Sequence, residues 1–519
     1  MTTQPRPDQR SDQGYDQGYD PRTGAPVGEP VPHTTPGELD RICRSAAAAA
    51  PGLAGLTPRE RADSLRAIAA ALAKHEAELV QLADAETGLG PARLGSELLR
   101  TRVQLEMFAE VVEEGWPLEV VIDRPDPAAR PAPRPDLRRM LLPIGPVAVY
   151  AASNFPFAFS VAGGDTASAL AAGCPVVLKA HPGHPNLSVR CGQLVAEAVD
   201  HPGGFAVVHG FETGQALIQH PAIAAAAFTG SLAGGRALHD LAAARPDPIP
   251  FYGELGALNP VVVTPGALAE RPDELVAGFV GSYLLGSGQF CTKPGLLLLP
   301  AGHGLADRLA AAVADAELGP LLNARIKSGY ELTSARLAAV PGVRNILGDP
   351  SPLPGPGARV RPMLLAVPAP VLLAHADQLL QECFGPAALL VEYDSTEQLL
   401  TVLDRLPGSL TGTLHADVDG EPALARAVVD RLTARAGRVI TGGWPTGVAV
   451  TWAMHHGGPW PATTNPGHTS VGVTAIRRFQ RPVVYQNTPE SLLPPALRDS
   501  NPWRIPRRVN GTLEFGPRG

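Results

Sequence analysis

GPVAVYAASNFPFAFSVAGGDTASALAAGCPVVLKAHPGHP, residues 145–185, is the stretch that decides the fold. Its two apolar runs, 145–151 and 175–179, are strand-length and enclose an alanine-rich segment of helical length. Neither run alternates, and apart from the closing Lys179 both are apolar, as in a strand buried on both faces. The pattern continues with apolar runs at 205–209 and 223–228. Short buried strands alternating with helices predict βαβ units in a parallel, doubly wound sheet, hence an α/β fold. Downstream, 260–263 predicts a further strand and 267–286 a further helix. Strand candidates at 295–299, 387–393 and 437–441 define a second α/β region ending near 455.

Upstream, residues 1–30 contain the repeat DQGYDQGYD, lack an apolar face and are expected to be a disordered polar tail. Thr35-Pro36-Gly37-Glu38 and Thr57-Pro58-Arg59-Glu60 are helix starts, the second a capping box. Leu65, Ile68, Leu72 and Leu79 follow at helical spacing, so 35–115 is expected to be helical. Residues 117–139 are too rich in proline to sustain a helix. With the strand-and-proline mixture of 466–519, they predict extended arms suited to packing between subunits.

The whole-chain balance excludes several classes. The net charge of −7 on 519 residues gives no basic footprint for nucleic acid. The N-terminus carries no secretory apolar core and no stretch is long enough to span a membrane. Five cysteines without a CxxC pair argue against a disulfide framework or a metal site, and point to a reducing cytoplasm.

Several segments carry chemistry. In GSGQFCTKPG, 286–295, Cys291 lies between glycines and a proline, where a turn can expose its sulfur. Asn154 follows the first strand, where an amide can donate to an oxyanion, and Pro156 is expected to start a new helix. Lys179 ends the second strand, at the edge where such sheets hold ligands. AAFTGSLAGGRAL, 226–238, offers Gly230 and Ser231 at a helix N-terminus, suited to a pyrophosphate, although G-x-G-x-x-G is absent. Glu254 lies in a short flexible run, FYGELGALNP, and Glu382 in the turn QECFGP. Singly, each has an ordinary reading: a packed cysteine, a capping asparagine, a solvated lysine, surface acids.

Taken together and in order, these segments resemble the aldehyde dehydrogenase superfamily from about residue 30 to 510. The resemblance implies a Rossmann-type cofactor domain (31–116 and 144–254), an α/β catalytic domain (255–455) and bridging or oligomerisation arms (117–143 and 456–519). It implies Cys291 as nucleophile, Asn154 as oxyanion donor and Glu254 as the base that activates water. Lys179 and Glu382 would hold the two riboses, Phe384 would flank the nicotinamide, and Gly230-Ser231 would meet the pyrophosphate.

The blocks at 134–185, 444–464 and 481–499 are similar to the 2,5-dioxovalerate (α-ketoglutarate semialdehyde) and NADP-dependent fatty aldehyde dehydrogenases. Many NAD-preferring relatives carry a glutamate three residues after the lysine. Here that place is Pro182, so Lys179 and His181 can attract a 2′-phosphate, which favours NADP and leaves NAD open. The expected partners are a small aldehyde and further copies of the chain, a dimer first. Gly442-Gly443-Trp444 departs from the usual Asn-Gly before an aromatic, which puts the pocket wall in question. Phe155, Phe157 and Phe159 suit either an apolar tunnel for general aliphatic or aromatic aldehydes, or helix packing. The reading from another class is a catalytically silent binding protein on the same fold.

Overall fold

The structure, a computed structural model, describes residues 14–348 and 353–515. The first folded block is helical, as expected. Thr35 caps Pro36–Gly55 and Thr57 caps Pro58–Lys74, each in a reciprocal capping box with the glutamate three residues on. Leu65, Ile68, Leu72 and Leu79 are fully buried on the inner face of this bundle, which also contains Pro91–Glu114.

The sheet predicted from 145–229 forms with five parallel strands. Their order is Phe205–Val208, Val176–Lys179, Val147–Tyr150, Ala225–Thr229 and Phe251–Glu254. Glu254 thus ends an edge strand, paired in register with Thr229, and does not lie in a flexible run. Pro156 starts no helix: residues 153–163 are successive turns, and the helix begins at Gly164. Glu97 holds those turns, accepting from the backbone N–H of Phe157 and Ala158 at 2.8 and 3.0 Å.

The second sheet has seven strands, in the order Arg344–Asn345, Met363–Pro368, Ala387–Tyr393, Leu296–Pro300, Pro260–Val263, Ser409–His415 and Ala436–Thr441. Only the first pairing is antiparallel. Met363–Pro368 and Ser409–His415 had not been expected. The expected arms come together in a five-stranded sheet that joins Gln480–Gln486, Leu137–Pro143, Val121–Asp123, Arg507–Val509 and Thr512–Glu514.

The N-terminus requires a correction. Residues 1–13 lie outside the described residues, but Tyr15–Tyr19 and Pro26–Pro32 form an antiparallel pair where a tail had been expected. Polar contacts hold this pair, which is why no apolar periodicity announced it. Asp16 meets His33 at 3.1 Å, and Arg22 meets Asp84 at 2.6 Å. Gly18 packs so closely on Glu86 that a Cβ there would collide with the carboxylate. Among the described residues, no helix is long and apolar enough to cross a membrane.

Candidate active site

The segment carrying Cys291 leaves a tight turn, Leu285–Gly288, in which Gly286, Ser287 and Gly288 all have positive φ. Glycine is required at 288, since a Cβ would strike the carbonyl oxygen of Gly385. Beyond the turn, Asn259 donates to the carbonyl oxygens of Cys291 and Lys293 at 2.7 and 2.9 Å. The buried Lys293 ammonium donates to the carbonyls of Cys383 and Ala387 at 3.0 and 2.6 Å. The segments holding Cys291 and Glu382 are therefore bolted together.

Half-buried Cys291 Sγ lies 3.5 Å from Nε2 of His456, and the same nitrogen lies 3.0 Å from Oε1 of Glu254. Ser470 donates to the other oxygen of Glu254. The thiol, imidazole and carboxylate atoms fall within 4.8 Å of one another. His456 and Ser470 come from the stretch assigned to the arms, because 462–464 runs along the end of the Glu254 strand. Leu255 donates to the Ala462 carbonyl at 2.8 Å, and Thr464 to Gly253 at 3.1 Å. The segment 456–470 thus brings side chains to Cys291 and Glu254.

Burial pushes the Cys291 thiol well above its ordinary value, and the negative charge of Glu254 adds to this. The thiol is protonated at neutral pH and needs an acceptor to become nucleophilic. Burial also raises the Glu254 carboxyl, but the charge and hydrogen bond of His456 and the bond from Ser470 outweigh it, leaving the group below its usual range. An ionised carboxylate beside an imidazole is such an acceptor.

Asn154 Nδ2 donates to the carbonyl of Gln289 at 3.0 Å, two residues before the cysteine. An amide carries two N–H groups, so one stays available to an oxyanion at Cys291. Arg93 fixes Asn154 from behind, donating to its backbone carbonyl at 2.8 Å.

Lys179 ends its strand and Gly230-Ser231 follow theirs at the carboxyl edge of the five-stranded sheet, while Glu382 and Phe384 lie in the turn that precedes Ala387–Tyr393. Ser231 caps Leu232–Ala243, accepting from Gly234 at 3.2 Å, and both Gly230 and Ser231 are exposed at that helix N-terminus. Burial lowers Lys179 to about 8, opposed by Asp16 and reinforced by Arg325. Burial depresses His181 well below its usual value, as do His184, Lys179 and Arg325, and its Nδ1 accepts from Gly183 at 3.0 Å. His181 is therefore neutral and offers a hydrogen bond but no charge, and the second cation at this corner is Arg325. Asp16, which the terminal strand pair brings within 3.7 Å of His209, supplies a carboxylate that no reading of 179–182 reveals.

Glu382 closes over Gly256, where a Cβ would collide with its carboxylate. Burial raises this acid to about 7, against the pull of Lys293 and a backbone bond from Ala257. Phe384 is half-buried in the same turn. The helix N-terminus at Ser231, the cations Lys179 and Arg325 and the Glu382 carboxyl are group types that suit a dinucleotide. Trp444, the departure that left the pocket wall open, packs away from the sulfur, 4.5 Å from His415 and 6.1 Å from Phe279 between ring centres.

Sequence reading missed His456, Ser470, Asp16 and Arg325. His456 lies in WAMHHGGPW, a block that carried resemblance but offered no spacing to link it with a cysteine 165 positions earlier.

Comparison with known proteins follows the same lines. The family model described as the aldehyde dehydrogenase family matches residues 9–459. The chain is 46% identical over 488 residues to alpha-ketoglutaric semialdehyde dehydrogenase 2 of Azospirillum brasilense, covering 92% of each chain. It is 42% identical over 487 residues to alpha-ketoglutaric semialdehyde dehydrogenase of Acinetobacter baylyi, covering 92% of this chain and 91% of the relative. Among solved structures, an NADP-dependent enzyme of E. coli superposes with a TM-score of 0.76 at 24% identity, covering 91% of this chain and 94% of the other. Aldehyde dehydrogenase C of Pseudomonas syringae, in complex with NAD+ and octanal, gives 0.77 at 22% identity over 91% and 93%. These two likenesses concern the fold. Matched by that family model over most of its length and by two curated relatives over 92% of it, the chain belongs to the aldehyde dehydrogenase family and is an NAD(P)-dependent aldehyde oxidoreductase.

Proposed function

We propose that the protein oxidises 2,5-dioxovalerate to 2-oxoglutarate through a thioester on Cys291. The observation that carries the mechanism is a single imidazole nitrogen, on His456, facing both the thiol and the Glu254 carboxylate. The thiol proton passes to the Glu254–His456 pair as sulfur attacks the aldehyde carbon. The resulting oxyanion takes hydrogen bonds from the free N–H of Asn154 and the backbone N–H of Cys291. Lys179, Glu382 and the helix N-terminus at Ser231 would hold a nicotinamide dinucleotide, which would supply the hydride acceptor needed to turn the thiohemiacetal on Cys291 into a thioester. Once the first proton has passed to solvent, Glu254, held by His456 and Ser470, draws a proton from water as hydroxide attacks the thioester carbon, and the departing sulfur takes that proton back.

The substrate rests on the names of the two curated relatives quoted above. Lys179, Arg325 and Pro182 favour NADP, while Asp16 beside the same lysine keeps NAD in play. Five unpaired thiols, four of them buried, suit a reducing, cytoplasmic setting. Exposed Val484 and Leu492 lie on the arm that carries Gln480–Gln486, and they support self-association as a dimer. Sedimentation at the mass of one chain would remove that last reading.

The test of the substrate compares kcat/KM for 2,5-dioxovalerate, hexanal and benzaldehyde, each with NADP and NAD. A clear advantage for 2,5-dioxovalerate supports the proposal. Preference for the uncharged aldehydes replaces it with a general aldehyde oxidiser on the same chemistry.

A further inference from the structure

Helix Pro91–Glu114 presents Arg93, Glu97 and Arg100 along one face, toward the turns at 153–160. Two of the three are committed to the fold. Glu97 accepts from Phe157 and Ala158, and Arg93 donates to the Asn154 carbonyl while lying 5.4 and 5.0 Å from the ring centres of Phe155 and Phe290. Arg100 is different. It makes no hydrogen bond or ion pair with any described residue, and its Nε is buried without an acceptor.

Its surroundings lead directly to the thiol. The Arg100 guanidinium carbon lies 5.5 Å from the ring centre of Phe159, and that ring lies 6.3 Å from His456, which touches Cys291. Burial lowers the Arg100 pKa, and the carboxylates of Glu97 and Glu254, with Cys291 in its thiolate form, oppose the shift. The other arginine that feels the Cys291 charge, Arg438, is already occupied: its guanidinium donates to the carbonyls of Pro445 and Gly447 at 2.5 and 2.9 Å.

A half-buried guanidinium with no protein acceptor is costly unless a ligand or solvent pairs it. Its planar fork matches a carboxylate, or a carboxylate oxygen together with an adjacent 2-oxo group. We propose that Arg100 binds the distal carboxylate of the substrate and selects short semialdehydes of dicarboxylic acids over uncharged aldehydes. The inference rests on the reading that Cys291 attacks the aldehyde. The ring cluster of Phe155, Phe159 and Phe290, with centres 5.5 and 5.1 Å apart, then flanks the methylene stem, and the cation beside Phe159 sets the preference.

The experiment compares wild type, R100M, R100K and R438M with saturating NADP. In R100M the ratio of kcat/KM for 2,5-dioxovalerate to that for hexanal should fall by on the order of 10- to 100-fold, chiefly through KM for the charged substrate. R100K, with charge but no fork, should fall between R100M and wild type, and it preserves the test should R100M fail to fold. R438M should keep the wild-type ratio. A wild-type preference that survives in R100M, or a loss of both substrates in equal proportion, overturns the assignment of Arg100 alone. A wild type with no preference for 2,5-dioxovalerate overturns the substrate reading and this proposal with it.

Discussion

At the scale of single residues, the chemistry depends on how a buried thiol loses its proton. Cys291 is held well above its ordinary pKa by burial and by Glu254, so the nearby acceptors and not the bulk pH make the thiolate. His456→Ala removes the group that touches the sulfur and orients the carboxylate. We expect kcat/KM at pH 7 to fall on the order of 100-fold, and the deficit to shrink as pH rises and solvent base removes the proton. A variant with unchanged rate at pH 7 would take His456 out of the step. Lys179 offers a second pH test. Held near 8, it carries its charge below that pH and loses it above. If it grips the 2′-phosphate, NADP affinity measured by fluorescence titration should weaken from pH 7 to 9, with NAD affected far less. Equal pH profiles for the two cofactors would release Lys179 from that contact.

At the scale of elements, the site exists because loops from both sheets are locked to one another. Gly288 is where the cysteine segment crosses the Glu382 turn with no room for a side chain. Gly288→Ala combines that collision with a left-handed backbone, which by itself costs about 1–2 kcal/mol. We expect a lower melting temperature and a larger loss of turnover than of cofactor binding, since the displaced part is the cysteine turn. Intact turnover would show that the two segments adjust independently. The elements also show what sequence could reveal. Strands at 147–150, 176–179, 205–208 and 225–229 were legible because each is an apolar run between helical segments. Met363–Pro368 and Ser409–His415 were not: proline lies beside the first, and serine, threonine, glycine and histidine break the apolar run of the second. Tyr15–Tyr19 escaped because it is ordered by polar contacts with residues elsewhere in the chain and not by an apolar face.

At the scale of the whole molecule, chain ends far apart in sequence complete one catalytic centre. Cys291, Asn154 and Glu254 were legible as candidates because each lies in a short motif with its own local logic: the glycine turn at Cys291, the strand end at Asn154, the E-L-G at Glu254. His456, Ser470 and Arg100 were not, because they come near the site only when 456–470 lies along the Glu254 strand and helix Pro91–Glu114 packs on the turns at 153–160. The C-terminal segment is clamped there by the buried ion pair of Arg478 with Asp165, at 2.7 Å. The measurement that tests the central claim most directly is a single-turnover experiment on Glu254→Gln with 2,5-dioxovalerate and NADP, followed by mass analysis of the Cys291 peptide. The account predicts one burst equivalent of NADPH per site, an acyl group retained on Cys291 and little further turnover. Steady turnover at the wild-type rate with no burst, or a burst with no adduct on Cys291, would contradict it.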